Sequence, residues 1–405
     1  MPTAAVAATT AQHRIARLAA LPAVHRAFYW LHLHQPQLRQ WQLEFLGIPA
    51  PPFGEGPRAA WFLDRFRQLG LTNAHIDGEG NALAELAPEA AVTAGPCILL
   101  SAHLDTVFPA GTPCTPVEEG SRILCPGACD NAAGLTALLA IAAALRFAGI
   151  MPPIPILFAA NVGEEGDGDL RGIRHLFLRG PYGHRIAAAL VLEGSGNSSV
   201  VTRGLGSHRY RVTVTGPGGH SWADAGAPNP ILILSRALTA LAALKLPADP
   251  RTVLNVGHIA GGTSVNSIPE SATALLDLRS TDTAQILTTE ADIHRILTTH
   301  SPAKISIETI GNRPAAELSA DSELLTTLRA VDRHLNLTTT PHLASTDANL
   351  PLSLGLPALA IGTGGQGGGI HTVHEWYDPS GREIALRRIA LVLMDLIQSS
   401  ERLVS

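Results

Sequence analysis

The chain is poor in cysteine, and its few cysteines do not follow the spacing of a disulfide framework or a thiolate metal site. No two of them form a Cys-x-x-Cys pair. Small secreted scaffolds carry many disulfides because their cores are small, whereas thiols stay reduced in the cytoplasm. We therefore exclude a disulfide scaffold and expect a cytoplasmic protein with four free thiols, at Cys97, Cys114, Cys125 and Cys129.

Basic runs, a secretory leader and a membrane-length apolar segment are also missing. The net charge is −5 and Lys and Arg do not cluster, which argues against nucleic acid and anionic membrane surfaces as partners. The first residues lack a basic segment followed by an apolar one, so we expect no secretory signal. The most apolar stretch, Leu135–Ile150, contains Arg146 and is short for a bilayer, so it predicts a buried core helix.

The chain does have enough apolar sequence for two domains, since 46% of its 405 residues are hydrophobic. Up to about residue 203, apolar strands alternate with helical patterns such as Ala59–Leu69, and residues 1–40 are predicted to be mainly helical. This alternation is typical of an α/β fold with a mostly parallel sheet and helices on both faces.

The pattern changes at Tyr210, where a strand begins a different arrangement. Its order of strands and helices predicts a ferredoxin-like β-α-β-β-α-β insert of the α+β class. We expect the first domain to be discontinuous, with residues 1–205 and 314–405 on either side of the insert at 206–313. The elements predicted in the insert are helices near 231–244 and 284–299 and strands near 210–215, 252–259, 272–279 and 304–309.

Two adjacent carboxylates, Glu164 and Glu165, follow an apolar run that reads as a buried strand. Like charges at such a position repel and are costly to desolvate, unless a positive charge stands opposite. A metal ion would supply that charge, with one carboxylate binding it and the other free to move a proton. The alternative for an isolated pair is a solvated acidic turn.

A second apolar strand leads into His103 and Asp105. Strand side chains alternate with period two, so both point to the same side. A histidine that binds metal through one nitrogen usually donates its other N–H to a carboxylate, which predicts such a role for Asp105. Asp105 could instead be a ligand itself or a turn residue.

Three further candidate donors lie at similar positions. Asp130 precedes a long apolar helix, where it or Asn131 can cap the first turn, and the partial positive charge of a helix start also suits a bridging carboxylate. Glu193 ends another apolar strand, and His371 follows a glycine-rich loop. Nitrogen and oxygen donors without thiolate suit zinc, and also cobalt or manganese. Five ligands and a spare Glu fit two metal ions that share one Asp.

In this order, the motifs resemble the M20 family of co-catalytic metallopeptidases. That family includes tripeptidases, carboxypeptidases and deacylases of acetylornithine and succinyl-diaminopimelate. The matching blocks are His-Leu-Asp-Thr-Val at 103–107, Gly-Ala-Cys-Asp-Asn-Ala-Ala-Gly at 127–134, Gly-Glu-Glu-Gly at 163–166, Glu-Gly at 193–194, Gly-Pro-Gly-Gly-His-Ser at 216–221, Gly-Gly-Thr-Ser-Val-Asn-Ser-Ile-Pro at 261–269 and His-Thr-Val-His-Glu-Trp at 371–376.

The resemblance implies a role for each donor. Asp130 would bridge two divalent ions, most simply Zn²⁺, with His103 and Glu193 on one and Glu165 and His371 on the other. Glu164 would act as general base, and Asp105 would orient His103. The implied reaction is hydrolysis of an amide bond by the water between the two metal ions.

The resemblance also implies that the insert is a lid that forms a homodimer. His220 matches a lid histidine that stabilises the oxyanion, and Asn266 and Arg279 match positions that contact substrate. The alternatives are a turn histidine for His220 and a surface salt bridge for Arg279.

The substrate class implied by these motifs is a short peptide or an N-acyl amino acid. Glu193 favours carboxypeptidases and deacylases, and Arg279 favours a free α-carboxylate, whereas Ser345–Asn349 and the glycine-rich loop are closer to tripeptidases. Aminopeptidase or tripeptidase specificity therefore stays open. So does a non-catalytic scaffold of the same family that binds metal or an amino acid.

Overall fold

The computed structural model describes residues 4–87, 95–299 and 304–403. It divides into two compact units, a larger one of residues 1–203 with 317–405 and a smaller one of residues 204–316. The assignment of the larger unit as the catalytic domain and of the smaller unit as the lid stays a prediction.

The elements follow the chain in three stretches. The first contains α1 (Ala4–Ala19), α2 (Pro22–Leu33), α3 (Gln35–Leu46), α4 (Gly56–Gln68), β1 (Thr72–Ile76), β2 (Ala82–Leu86), β3 (Cys97–His103), β4 (Val117–Glu119), β5 (Arg122–Leu124), α5 (Ala132–Phe147), β6 (Ile156–Asn161), α6 (Arg171–Arg174), β7 (Ile186–Leu192) and β8 (Ser199–Gly204). The second contains β9 (Gly206–Thr215), β10 (Gly219–His220), α7 (Pro230–Ala242), β11 (Thr252–Gly261), β12 (Ser267–Ile268), β13 (Ser271–Ser280), α8 (Thr283–Thr299) and β14 (Lys304–Arg313). The third contains β15 (Ala316–Glu317), α9 (Glu323–Leu335), β16 (Thr340–Ala344), α10 (Asn349–Ser353), β17 (Ala358–Ile361), β18 (Gln366–Gly368), β19 (Trp376–Asp378) and α11 (Arg382–Leu403).

The main sheet of the larger unit has the strand order β1-β2-β6-β3-β7-β17-β8-β15, with β16 paired to β8. Its four central strands, β6, β3, β7 and β17, run parallel, and β2, β6 and β3 are buried along their whole length. The α/β prediction is therefore confirmed. The sheet is mixed, however, because β1, β2 and β8 pair with their neighbours in the antiparallel direction.

Helix α5 is the buried core helix that the apolar run predicted. Residues 132–145 are all buried, and the helix contacts α2, α3 and three strands of the main sheet. Asn131 caps its start by accepting the Gly134 N–H, so the cap is Asn131 and not Asp130. Among the described residues, no helix is both long enough and apolar enough to span a bilayer.

The smaller unit has a four-stranded antiparallel sheet of order β11-β13-β9-β14, with helices α7 and α8 packed against it, and β10 and β12 form a separate antiparallel pair. This order is the ferredoxin-like arrangement expected of a β-α-β-β-α-β chain. Buried and half-buried residues alternate along β13, so one face of the sheet meets the helices in an apolar core that includes Tyr210, Leu234, Leu276 and Ile293.

Candidate metal centre

The predicted metal ligands lie at one edge of the main sheet. His103 is the last residue of β3, Glu193 directly follows β7, and Glu165 follows β6 after a short turn. These three strands are parallel neighbours, so the segments after their carboxyl ends converge. Asp130 joins them from the turn before α5, and His371 from the loop between β18 and β19.

Asp130 stands between two groups of donors. Its Oδ1 lies 3.1 Å from His103 Nε2, which is in turn 3.6 Å from Glu193 Oε1. Its Oδ2 lies 3.2 Å from His371 Nε2, which is 3.0 Å from Glu165 Oε1. In each group of three, the possible ligand atoms lie within 4.8 Å of one another. The structure thus brings all five predicted ligands together, in two trios that share Asp130.

Glu164 and Asp105 lie beside these trios. Glu164 offers a carboxylate oxygen within 4.8 Å of ligand atoms of both His103 and Glu165. Asp105 is fully buried, and His103 Nδ1 lies 3.1 Å from its backbone carbonyl oxygen and 3.6 Å from its Oδ1. Its two carboxylate oxygens accept the backbone N–H groups of Glu164, at 3.0 Å, and Glu165, at 2.7 Å. One carboxylate therefore faces the first histidine and also holds the turn that carries the two glutamates.

The site contains more carboxylates than histidines, so its negative charge is not balanced. Burial opposes a proton on His103, yet the carboxylates of Glu193, Asp105 and Asp130 raise its pKa well above the usual value. Hydrogen bonds to Asp130 and Glu165 raise the pKa of His371 to about 10. Burial raises the pKa of Glu193 to about 7. Without a cation, protons must supply the positive charge that these carboxylates require.

These residues fit two divalent ions. Glu193 Oε2 is buried and makes no hydrogen bond within the described part of the chain, which is an expensive state that a bound cation would relieve. The donors are two imidazoles and three carboxylates, the set that zinc, cobalt and manganese accept.

The turn after β6 owes its shape to glycines whose role the sequence patterns did not reveal. Gly163 has a φ of +66°, and a Cβ there would lie 2.4 Å from Arg171 Cγ. A Cβ on Gly168 would lie 2.5 Å from Gly163 Cα. Arg171 is itself held by Glu55, with Nη2 and Oε2 2.7 Å apart. The segment before and after the glutamates is therefore folded tightly on itself. The clustered glycines from 163 to 172 are the signal that could have predicted it.

Asn131 and Arg58 also support the site, and sequence reasoning gave neither of them this role. Asn131 Nδ2 donates to the Leu192 carbonyl, and its Oδ1 accepts the Gly194 N–H, so it fixes both sides of Glu193. Arg58 is fully buried and donates to the Leu104 carbonyl, next to Asp105. Their partners are distant in sequence and carry no local signal.

The other predicted site residues belong to the smaller unit. His220 is exposed on β10, which pairs with β12 directly after Asn266. His220 Nδ1 accepts the backbone N–H groups of Trp222 and Ala223, so a neutral ring carries its proton on Nε2. Arg279 Nε donates to Asp277 at 2.7 Å, which is the salt bridge that the sequence left open.

A comparison with known protein families agrees with the fold and with the arrangement of the metal donors. The sequence profile described as Peptidase family M20/M25/M40 matches residues 99–399. The chain belongs to this family. The M20 resemblance noted from the motifs is thereby confirmed.

The curated relatives of this M20 protein include a peptidase and a deacylase. It is 30% identical over 212 residues to a probable carboxypeptidase of Aspergillus clavatus, covering 47% of this chain and 46% of the relative. It is 30% identical over 225 residues to a succinyl-diaminopimelate desuccinylase of Methylobacterium, covering 50% and 55%. It is 28% identical over 267 residues to a putative glutamate–cysteine ligase of Rhodococcus jostii, covering 61% and 31%. The chain thus spans about a third to about half of the length of these relatives.

Solved M20 structures share the fold over nearly the whole chain. A tripeptidase from Staphylococcus aureus superposes with a TM-score of 0.70 at 20% identity, covering 89% of this chain and 98% of that one. A Bacillus subtilis protein described as a dinuclear metal-binding peptidase from the M20 family gives 0.66 at 14% identity, covering 90% and 98%. At these identities the likeness establishes the fold alone.

Proposed function

We propose that this M20 protein is a two-metal amide hydrolase that acts on short peptides or N-acyl amino acids. The observation that carries the proposal is the pair of donor trios sharing Asp130, with Glu164 beside them. A bound pair of divalent ions would lower the pKa of a water and polarise the carbonyl of the substrate. His103 and Glu193 would hold one ion, and Glu165 and His371 the other.

Glu164 is the residue to which we assign proton transfer. Its carboxylate lies next to donors of both trios, where it can take a proton from the attacking water and pass it to the leaving amine. Asp105 accepts the backbone N–H of Glu164 and so fixes the position of the residue that carries this carboxylate. In this proposal Glu165 binds metal, and its neighbour Glu164 transfers protons.

His220 is assigned the stabilisation of the oxyanion, as the M20 motif implies. Its Nδ1 is occupied by two backbone N–H groups, so Nε2 is the hydrogen-bond donor that a negatively charged oxygen would meet. Asn266 lies on the adjacent segment, where its backbone carbonyl accepts the Ser221 N–H, and is assigned to substrate contact. Arg279 is assigned to a substrate carboxylate, although Asp277 already occupies its Nε.

The substrate class rests on the relatives and on the ligand set. The carboxypeptidase and the desuccinylase both carry names of enzymes that cleave an amide next to a carboxylate-bearing residue. Glu193 and Arg279 agree with that class. A tripeptidase is also among the structural relatives, so tripeptides belong in the same substrate panel.

A homodimer in the cytoplasm is the assembly and location that we propose. The feature that supports a dimer is β11, an edge strand on which the apolar side chains of Val253, Val256 and Ile259 are exposed. An exposed strand edge with apolar side chains is a surface that pairing with a second copy would cover. Sedimentation equilibrium of the purified chain should give twice the monomer mass.

The central test is Glu164→Gln, assayed with zinc, cobalt or manganese on N-acyl amino acids, dipeptides and tripeptides. We expect kcat to fall about 10²–10⁴-fold because the amide cannot accept the proton, while the metal content stays at two ions per chain. Glu118→Gln, on an exposed glutamate paired with Arg39, is the matched control and should retain full activity. Wild-type activity that resists chelation, or that survives in Glu164→Gln, would reject the hydrolase. Two bound metals with no hydrolysis of any substrate would favour the non-catalytic scaffold.

A further inference from the structure

Glu375 is a buried carboxylate that lies outside the two donor trios and yet touches the segment that carries Asp130. Its side chain is almost fully buried. Oε1 accepts the backbone N–H groups of Cys129 and Asp130, each at 2.8 Å, and Oε2 accepts the Gly127 N–H at 3.0 Å. Three backbone donors from one turn thus converge on a single side chain about 245 positions away in the sequence.

The same residue is anchored from the other direction. The backbone carbonyl of Glu375 accepts the Cys125 N–H, and the next residue, Trp376, pairs with Leu124 where β19 meets β5. Glu375 therefore contacts the 125–130 segment through both its backbone and its side chain. It also lies four positions after His371, in the loop that carries that ligand.

The contacts of Glu375 join two ligands of the trio formed by Asp130, Glu165 and His371. Asp130 belongs to the turn that the carboxylate holds, and His371 belongs to the loop that supplies Glu375. The Nε2 of His371 and the Oδ2 of Asp130 lie 3.2 Å apart, and their common orientation depends on how these two segments meet. A carboxylate that accepts three N–H groups fixes that meeting more firmly than any neutral side chain could.

We propose that Glu375 is a positioning residue that aims the shared carboxylate of Asp130 at both cations and so sets the affinity for the more weakly bound ion. This role rests on the two-metal function proposed above. Glu375 does not bind metal or substrate in this proposal, and it acts only through the turn at 127–130.

Glu375→Gln separates this role from general support of the fold. A glutamine has the same shape, but it replaces one acceptor oxygen by an NH₂ group, which then faces a backbone N–H that it cannot satisfy. Asp395→Asn is the matched control, because Asp395 is also fully buried and accepts three donors, from Arg14 and Thr327. Asp395 lies on α11 and Thr327 on α9, and neither helix carries a predicted metal ligand.

The experiment is titration of Co²⁺ into the metal-free chain, monitored by calorimetry and by visible absorption, with thermal melts of each metal-free variant. We expect two ions per wild-type chain, and an affinity for the weaker ion that falls about 10–100-fold in Glu375→Gln. Asp395→Asn should melt at a lower temperature than wild type and bind both ions with wild-type affinity. If Glu375→Gln does not fold, Glu375→Asp, which keeps both oxygens, should show a smaller loss of affinity.

Two results would overturn the proposal while leaving the hydrolase in place. One is a folded Glu375 variant that binds both ions as wild type does, and the other is an equal loss of affinity in Asp395→Asn. A wild-type chain that binds fewer than two ions and cleaves nothing would instead remove the proposed function, and this inference with it.

Discussion

The two units differ in how their candidate functional residues are held. In the larger unit, Asp105, Asn131 and Glu375 each bind backbone N–H or carbonyl groups next to a predicted metal ligand. In the smaller unit, His220 lies on a two-residue strand and is exposed. Hydrogen bonds that orient the ligands raise metal affinity, whereas an exposed histidine can donate to substrate without any effect on the metal. The comparison predicts that the larger unit alone determines metal binding.

Replacement of His220 should have the largest effect among the tests of this comparison. In His220→Ala we expect kcat to fall about 10²–10³-fold because the oxyanion loses a donor, while both ions stay bound. Calorimetric metal titration beside steady-state kinetics measures both quantities. Thr298→Ala, on an exposed position of α8 in the same unit, is the control that should change neither. A loss of metal in His220→Ala would contradict the prediction that the larger unit alone determines metal binding.

Replacement of Asp105 tests the other side of the comparison. Asp105→Asn keeps the size of the side chain but presents an NH₂ group to the Glu164 N–H, the Glu165 N–H or His103. We expect metal affinity to fall about 10–100-fold because His103 is less well oriented. Competition with a chromophoric chelator measures the change. An affinity equal to that of wild type would show that Asp105 does not orient the ligand.

Two glycines with positive φ, one in each unit, allow the rigidity of the two units to be compared. Gly163 (φ +66°) has no room for a Cβ beside Arg171, whereas Gly226 (φ +96°) in the smaller unit has nothing within 4 Å of that position. Gly226→Ala should cost about 1–3 kcal/mol for the backbone alone, and Gly163→Ala about 1–3 kcal/mol more for overpacking. Thermal melting of both variants checks the difference. Equal shifts would mean that the turn before Glu164 is as adaptable as the exposed loop.

The smallest expected effect concerns the cysteines, all of which lie in the larger unit. Burial raises the pKa values of Cys97, Cys125 and Cys129 to about 12, whereas Cys114 is only partly buried. A thiol reagent at pH 8 should therefore label one cysteine quickly in the native chain and all four in urea. Cys114→Ser should remove the fast phase. Rapid labelling of a second thiol would indicate that the larger unit opens readily.

Much of the fold and of the donor set could be predicted from the sequence, for a local reason. A buried strand that ends in His103 or Glu193 is visible as an apolar run followed by one polar residue. Helix α5 was predictable from the same kind of run, and its observed bounds, Ala132–Phe147, differ from the predicted ones by a few residues. The antiparallel direction of β2 was not predictable, because this strand is buried along its whole length and such a strand has the same pattern whether it pairs parallel or antiparallel.

The sequence by itself determined the order of strands and helices, the M20 family and the residue types of the candidate site, because each is written in short segments. Only the tertiary structure decided that Asn131 and not Asp130 caps α5, that Arg279 pairs with Asp277, and that Glu375 holds the turn of Asp130. These outcomes depend on which donor meets which acceptor once the chain has folded. Neighbouring and distant partners compete for each polar group, and local spacing does not record which of them forms the hydrogen bond.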